Sequence, residues 1–193
     1  MTDPRLRLAL SRDEVMILTS LVEQVAGLLE GDATAPAADD PFALWQAELA
    51  PPVELDRDDP VIARLFPDAY PDDEHASDEF RRLTQARQRQ TRLTNAGAVL
   101  AGLRASRGGT TRVSIPLADL PAWLTTLTSV RLSLAVRLEI DTDADRERVE
   151  ALPRSDPRWF TYRVYEWLAH VQERLLQQAA RHRAGPAGNG QPA

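Results

Sequence analysis

Arg81, Gln85, Arg89 and Arg92 recur at spacings of four, four and three residues, with Arg82 beside them. On a helix that spacing stacks the side chains into one stripe. Guanidiniums in such a stripe bind carboxylates and phosphates through their planar forks. The stripe belongs to a larger block: residues 80–112 carry eight Arg and no acid, whereas residues 39–79 carry thirteen Asp/Glu against two Arg. Opposite blocks of this size either pair inside one molecule or recruit partners. Arg81 and Arg82 adjoin Asp78 and Glu79 in sequence and are expected to be structural. Residues 85–92 are polar all round, and a helix of that kind meets solvent or a polar partner. Gln85, Arg89 and Arg92 are therefore the candidate contact residues for a protein partner. The alternative use of the stripe is salt bridging to the chain's own acidic block. Direct DNA binding is the weaker reading, because the net charge is −6 and the stripe has no aromatic side chain for base stacking.

Arg131 is the second residue with chemistry in view. On a helical wheel it falls in the centre of the apolar stripe Leu120, Leu124, Leu127, Leu134 and Leu138. A guanidinium there has to find a carboxylate or several carbonyls, because an unpaired buried charge costs several kcal/mol. It could serve an anion site. The expected arrangement is a core ion pair, with Glu79 or Glu166 as the partner.

Other chemistry is poorly supplied. There is no Cys, which excludes disulfides, thiolate nucleophiles and cysteine-based zinc sites. There is no Lys either, so all 23 basic side chains are Arg and Schiff-base chemistry is excluded. The acidic run Asp72-Asp73-Glu74-His75 continuing to Glu79 lacks the Gly turn of a calcium loop and reads as a helix N-terminus. His75, His170 and His182 have no nucleophile motif around them, and Gly97, Gly102, Gly108 and Gly109 do not have phosphate-loop spacing. No catalytic residue, metal or cofactor is expected.

The elements that must hold these arginines are legible from periodicity and caps. Residues 5–10 alternate with period two and predict a strand; Ser11 and Glu14 form a capping box for a helix from about residue 12 to Glu30, ahead of Gly31. Residues 31–40 read as a linker, and Asp40-Pro41 predicts a short helix through Leu49. The same Asp-Pro device recurs at Asp59-Pro60 and Asp156-Pro157. A long helix is predicted from Asp72 or Asp73 to Arg104, with its break at Arg107-Gly108-Gly109. A second short strand covers Thr111–Ile115, and a helix follows over 118–139. Residues 141–150 are weakly helical, and the last helix, 157–183, is expected to bury Phe160, Val164, Trp167, Leu168, Val171 and Leu175. Two isolated strands satisfy their backbones by pairing with each other. The expectation is a mainly α, single-domain helical bundle over residues 1–184 with a small two-stranded antiparallel ribbon, and a disordered tail at 185–193.

The stretch from Asp59-Pro60-Val61-Ile62 through Leu65-Phe66-Pro67-Asp68-Ala69-Tyr70, followed by Asp78-Glu79-Phe80-Arg81-Arg82-Leu83-Thr84, resembles an actinobacterial family of unknown function. So do Trp123-Leu124, Val130-Arg131-Leu132, Val136-Arg137-Leu138 and Val164-Tyr165-Glu166-Trp167-Leu168. Together these motifs span Leu6 to Leu176 in order. The resemblance implies two things. Family members are commonly encoded beside the ClpS adaptor of the Clp protease. Some are labelled transcriptional regulators of oxidative stress, with sensing assigned to a cysteine pair. This chain departs from the second pattern, since its only sulfur atoms are in Met1 and Met16.

The resulting expectation is a non-catalytic, cytoplasmic regulatory protein acting through protein–protein contacts near transcription. An accessory of Clp-dependent proteolysis is the alternative, and a hydrolase or metal enzyme is the remote one. No run of about 18 apolar residues is present to span a membrane.

Overall fold

The computed structural model describes residues 4–31, 55–106 and 112–184. The linker over 31–40 apart from Gly31, the short helix at 41–49, the break at 107–109 and the tail lie outside them. The described elements run β1 (Arg5–Ala9), α1 (Arg12–Glu30), α2 (Pro60–Leu65), α3 (Glu74–Ala105), β2 (Arg112–Pro116), a 3₁₀ turn (Leu117–Asp119), α4 (Leu120–Arg137), α5 (Asp143–Glu150) and α6 (Arg158–Ala184). This is the mainly α architecture with a two-stranded antiparallel ribbon.

Local chemistry explains most of the boundaries. Ser11 Oγ accepts from the Glu14 N–H at 3.2 Å while the Glu14 carboxylate accepts from the Ser11 N–H at 2.6 Å, the reciprocal bond pair that starts α1. Asp59 caps α2, accepting from the Val61 N–H at 2.7 Å, and Pro60 takes the first position, where no donor is needed. Asp73 caps α3 through the Ala76 N–H at 2.9 Å. Helix α4 stops in a Schellman motif. The Ile140 N–H reaches the Ala135 carbonyl at 2.9 Å, and the Glu139 N–H reaches Val136 at 3.1 Å. Glu139 occupies the left-handed position at φ 56°, where glycine is the usual choice. The predicted helix over 118–139 is thus shorter at both ends, with residues 117–119 in the 3₁₀ turn and 138–140 in the motif.

The ribbon pairs Leu6 with Ile115 and Leu8 with Val113, and all four side chains are buried. Its outer edge is closed by a side chain. Gln178 of α6 accepts from the Arg7 N–H and donates to the Arg7 carbonyl, both at 2.9 Å, so one amide substitutes for a third strand. Helix α4 is the hub, packing against α1, α2, α3 and α6. Trp123 stands at the centre of the core, and an added Cβ at Gly102 of α3 would lie 3.0 Å from its ring. Gly102 is thus the point where α3 closes on α4. A smaller cluster of Ala135, Leu138, Ile140, Val149 and Tyr162 fastens α5 to the end of α4. The expected burial of Phe160 is corrected: it is 59% exposed, because it lies in the first turn of α6 ahead of the stripe that begins at Val164.

Candidate functional site

Helix α3 is 32 residues long, about 48 Å at 1.5 Å per residue, and its two faces differ. The arginine stripe faces inward. Arg89 donates through Nε to the Leu29 carbonyl and through Nη2 to the Glu30 carbonyl, the latter at 3.1 Å. These are orphan carbonyls at the C-terminus of α1, a helix with no basic residue in its own last turn. Arg92 treats α2 the same way. Its Nη2 donates to the Leu65 carbonyl at 2.8 Å, its Nη1 to Ser129 Oγ at 3.4 Å, and its guanidinium lies 5.1 Å from the Phe66 ring centroid. Burial pulls the Arg92 pKa below the ordinary arginine value. One long helix thereby places a cation at the C-terminus of α1, which has none of its own, and a second at that of α2 beside Arg64, the placement that helix dipoles favour.

Arg81 is bound to Asp78 at 2.6 Å and to Asp68. Gln85 lines a small cavity of about 130 Å³ together with Arg57, Phe66, Asp68 and Arg81. Arg89 and Arg92, the expected partner contacts, are thus occupied by backbone carbonyls of the same molecule. The acidic block answers only part of the stripe, through Asp68 and Asp78.

The outward face of α3 carries different residues. Phe80, Leu83 and Arg87 share it at i, i+3 and i+7. Leu83 is 72% exposed, and Phe80 meets the exposed Tyr70 edge-on at 6.2 Å between ring centroids. Among the described residues the Arg87 guanidinium has no ion pair or hydrogen bond, and the exposed Arg82, nearer the arginine stripe on the wheel, has none either. The sequence signal was available: Phe80 and Leu83 fall opposite the stripe on a helical wheel.

Arg131 occupies a cleft of about 450 Å³ formed by α2, α4, α5 and α6. It is half-buried, and neither Glu79 nor Glu166 pairs with it. Its Nη1 donates to Gln172 Oε1 at 3.0 Å, its guanidinium lies 4.9 Å from the Tyr165 ring centroid, and its Nε is shielded from solvent without an acceptor. The carboxylate partner was expected because the wheel places Arg131 among leucines. The packed neighbour is instead the neutral side of α6. Gln172 is itself fixed, donating to Thr128 Oγ1 at 2.8 Å and to the Leu124 carbonyl at 3.3 Å, which turns its oxygen toward Arg131.

The other charges of the cleft are mostly matched: Arg64 with Asp141 at 3.1 Å and Arg146 with Glu150 at 3.0 Å. At the start of α5 the Asp145 carboxyl is held down to about 2, first by the Thr142 hydroxyl and then by Arg148. Among the described residues no group of three or more His, Asp or Glu side chains is placed to hold a metal ion.

These features define a cysteine-free helical protein whose internal polar chemistry is carried by arginine. The family described as "Domain of unknown function (DUF2017)" matches residues 1–179, and the chain belongs to it. Its relatives include mycobacterial proteins named oxidative stress regulator AosR. The relative in Mycobacterium leprae (strain TN) is 29% identical over 191 residues, covering 90% of this chain and 82% of the relative. The relative in Mycobacterium tuberculosis (strain ATCC 25618 / H37Rv) is 26% identical over 185 residues, covering 90% of this chain and 81% of the relative. No solved structure matches the chain. No helix among the described residues is long and apolar enough to cross a membrane.

Proposed function

We propose that this chain is a non-catalytic, cytoplasmic regulatory protein that acts by binding another protein of the transcription machinery. The names of its mycobacterial relatives support a regulator of the oxidative stress response. The observation that carries the contact mode is the outward face of α3, where Tyr70, Phe80 and Leu83 form an exposed apolar patch beside the Arg87 side chain. Apolar anchors with an arginine rim are what protein interfaces select, and acidic partner side chains suit that rim. The contact residues move accordingly from Arg89 and Arg92 to Leu83 and Arg87. Sensing by a disulfide has no place in this mechanism, since the chain has no thiol.

The test is affinity capture of the tagged chain from its native lysate, read by quantitative mass spectrometry. RNA polymerase subunits, lost with Leu83→Glu or Arg87→Glu at unchanged melting temperature, are the expected result. Capture should be the same before and after mild peroxide treatment. Clp subunits in their place would transfer the chain to proteolysis. Steeply salt-dependent DNA binding would replace the protein contact with a nucleic-acid one.

A further inference from the structure

The Arg131 cleft is distinct from the outward face of α3 and is built from other elements. Arg131 is positioned there by neutral groups, and among the described residues it makes no ion pair. Gln172 holds one guanidinium nitrogen and is locked by two bonds to α4. The Tyr165 ring holds the guanidinium plane. The neighbouring arginines are already matched, Arg64 by Asp141 and Arg146 by Glu150, so neither needs a further anion. Arg131 makes no ion pair among the described residues, and a guanidinium fork at the wall of an open cleft can receive a carboxylate in plane.

We propose that this cleft binds a small aliphatic carboxylate, with Arg131 receiving the carboxylate group. Three features narrow the ligand. The volume of about 450 Å³ suits a small molecule. Leu132, Ala135 and Ile140 line the same cleft and accept an aliphatic chain. Asp141 and Asp143 also line it, so a phosphate dianion is repelled more strongly there than a carboxylate monoanion. Asp143 has no ion pair among the described residues. It therefore offers a place for an ammonium group, which separates two sources of the same carboxylate: an amino acid engages Asp143, and a plain organic acid does not.

The experiment titrates the full chain with L-leucine, 4-methylpentanoate, isopentylamine and inorganic phosphate. The readouts are calorimetry and the Arg131 Nε–H signal in ¹⁵N NMR, which its shielded position makes observable. Binding of L-leucine or 4-methylpentanoate that shifts this signal is expected. Arg131→Met should weaken it roughly tenfold to a hundredfold, the loss of one charge-assisted hydrogen-bond pair. Arg131→Lys, which keeps the charge, should retain part of the affinity and serves if the Met variant folds poorly. Loss of L-leucine binding alone in Asp143→Asn identifies an amino acid as the ligand class. Equal binding of both carboxylates, unaffected by Asp143→Asn, identifies an organic acid. The proposal is overturned if neither carboxylate binds, if binding survives Arg131→Met undiminished, or if phosphate or isopentylamine binds in preference.

Discussion

Arg92 and Arg131 are the same residue type in nearly the same local setting, and the molecule treats them differently. Both guanidiniums lie about 5 Å from an aromatic ring, and both leave Nε without an acceptor. Arg92, on α3, ends on a backbone carbonyl that the end of α2 leaves unsatisfied. Arg131, on α4, ends on a neutral amide at the wall of an open cleft. In the first arrangement the helix terminus supplies a partial negative charge to the cation. The second holds the cation in place without neutralising it. Ordering without neutralisation is the property of a binding group, and it separates the region where α3 closes the core from the cleft beyond the end of α4.

The sharpest test of this contrast is a pair of truncations. Arg92→Ala removes the bond to Leu65 and the contact with Phe66, and should destabilise the fold by about 3 kcal/mol. Arg131→Ala removes one bond to an amide and the contact with Tyr165 but leaves no helix-end carbonyl bare, and should cost about 2 kcal/mol. Urea denaturation of both variants measures the difference. Equal losses would erase the distinction between a structural and a poised arginine.

A smaller effect tests how tightly α3 closes the core. At Gly102 a methyl group would meet the fully buried Trp123 ring at 3.0 Å, whereas at Gly97 nothing lies within 4 Å. Gly97→Ala should gain about 0.5–1 kcal/mol, the ordinary helix preference for alanine. Gly102→Ala has that same gain but forces a rigid ring to move, and overpacking of a close-packed core costs about 1–3 kcal/mol. It should therefore lower the melting temperature while Gly97→Ala raises it. The same sign for both would show that α3 and α4 are packed less tightly than their Gly102–Trp123 contact implies.

The parts that sequence reading reached are those written in neighbouring residues. The Ser11–Glu14 box, the Asp59-Pro60 start and the two alternating strands are local signals, and their elements fold where those signals stand. The arginine stripe was equally legible as a stripe. Its targets were not, because helix-end carbonyls at Leu29 and Leu65 are backbone groups 60 and 27 residues away and every residue type carries one. The wheel singled out Arg131 as anomalous, and the missing step was again the partner. A carboxylate is the partner that charge alone suggests, whereas Gln172 is recognisable only once α6 is packed on α4. The Schellman stop at Glu139 escaped for the opposite reason: the residue that usually announces it, glycine, is absent.

The smallest effect concerns pH and distinguishes the two regions by sign. The Asp145 carboxylate accepts from the Thr142 N–H and hydroxyl at 3.0 and 2.8 Å and pairs with Arg148 at 3.0 Å. Its folded pKa of about 2 lies below the ordinary 3.8. A depressed carboxylate contributes stability that is fully present above the unfolded value and is lost as pH falls through the folded one. Asp145→Asn carries no charge at any pH. It should therefore melt below the parent by a constant margin from neutrality down to about 4, and that margin should close by about pH 2. Arg92 pairs with a carbonyl, which does not titrate, so the deficit of Arg92→Ala should stay level over the same range. Melting temperatures of the parent and both variants across the acid series provide the comparison. A margin for Asp145→Asn that persists unchanged to pH 2 would mean that the start of α5 does not depend on the Asp145 charge. A deficit for Arg92→Ala that closes in acid would instead reveal a carboxylate behind Arg92, and the two arginines would no longer differ in the way their partners indicate.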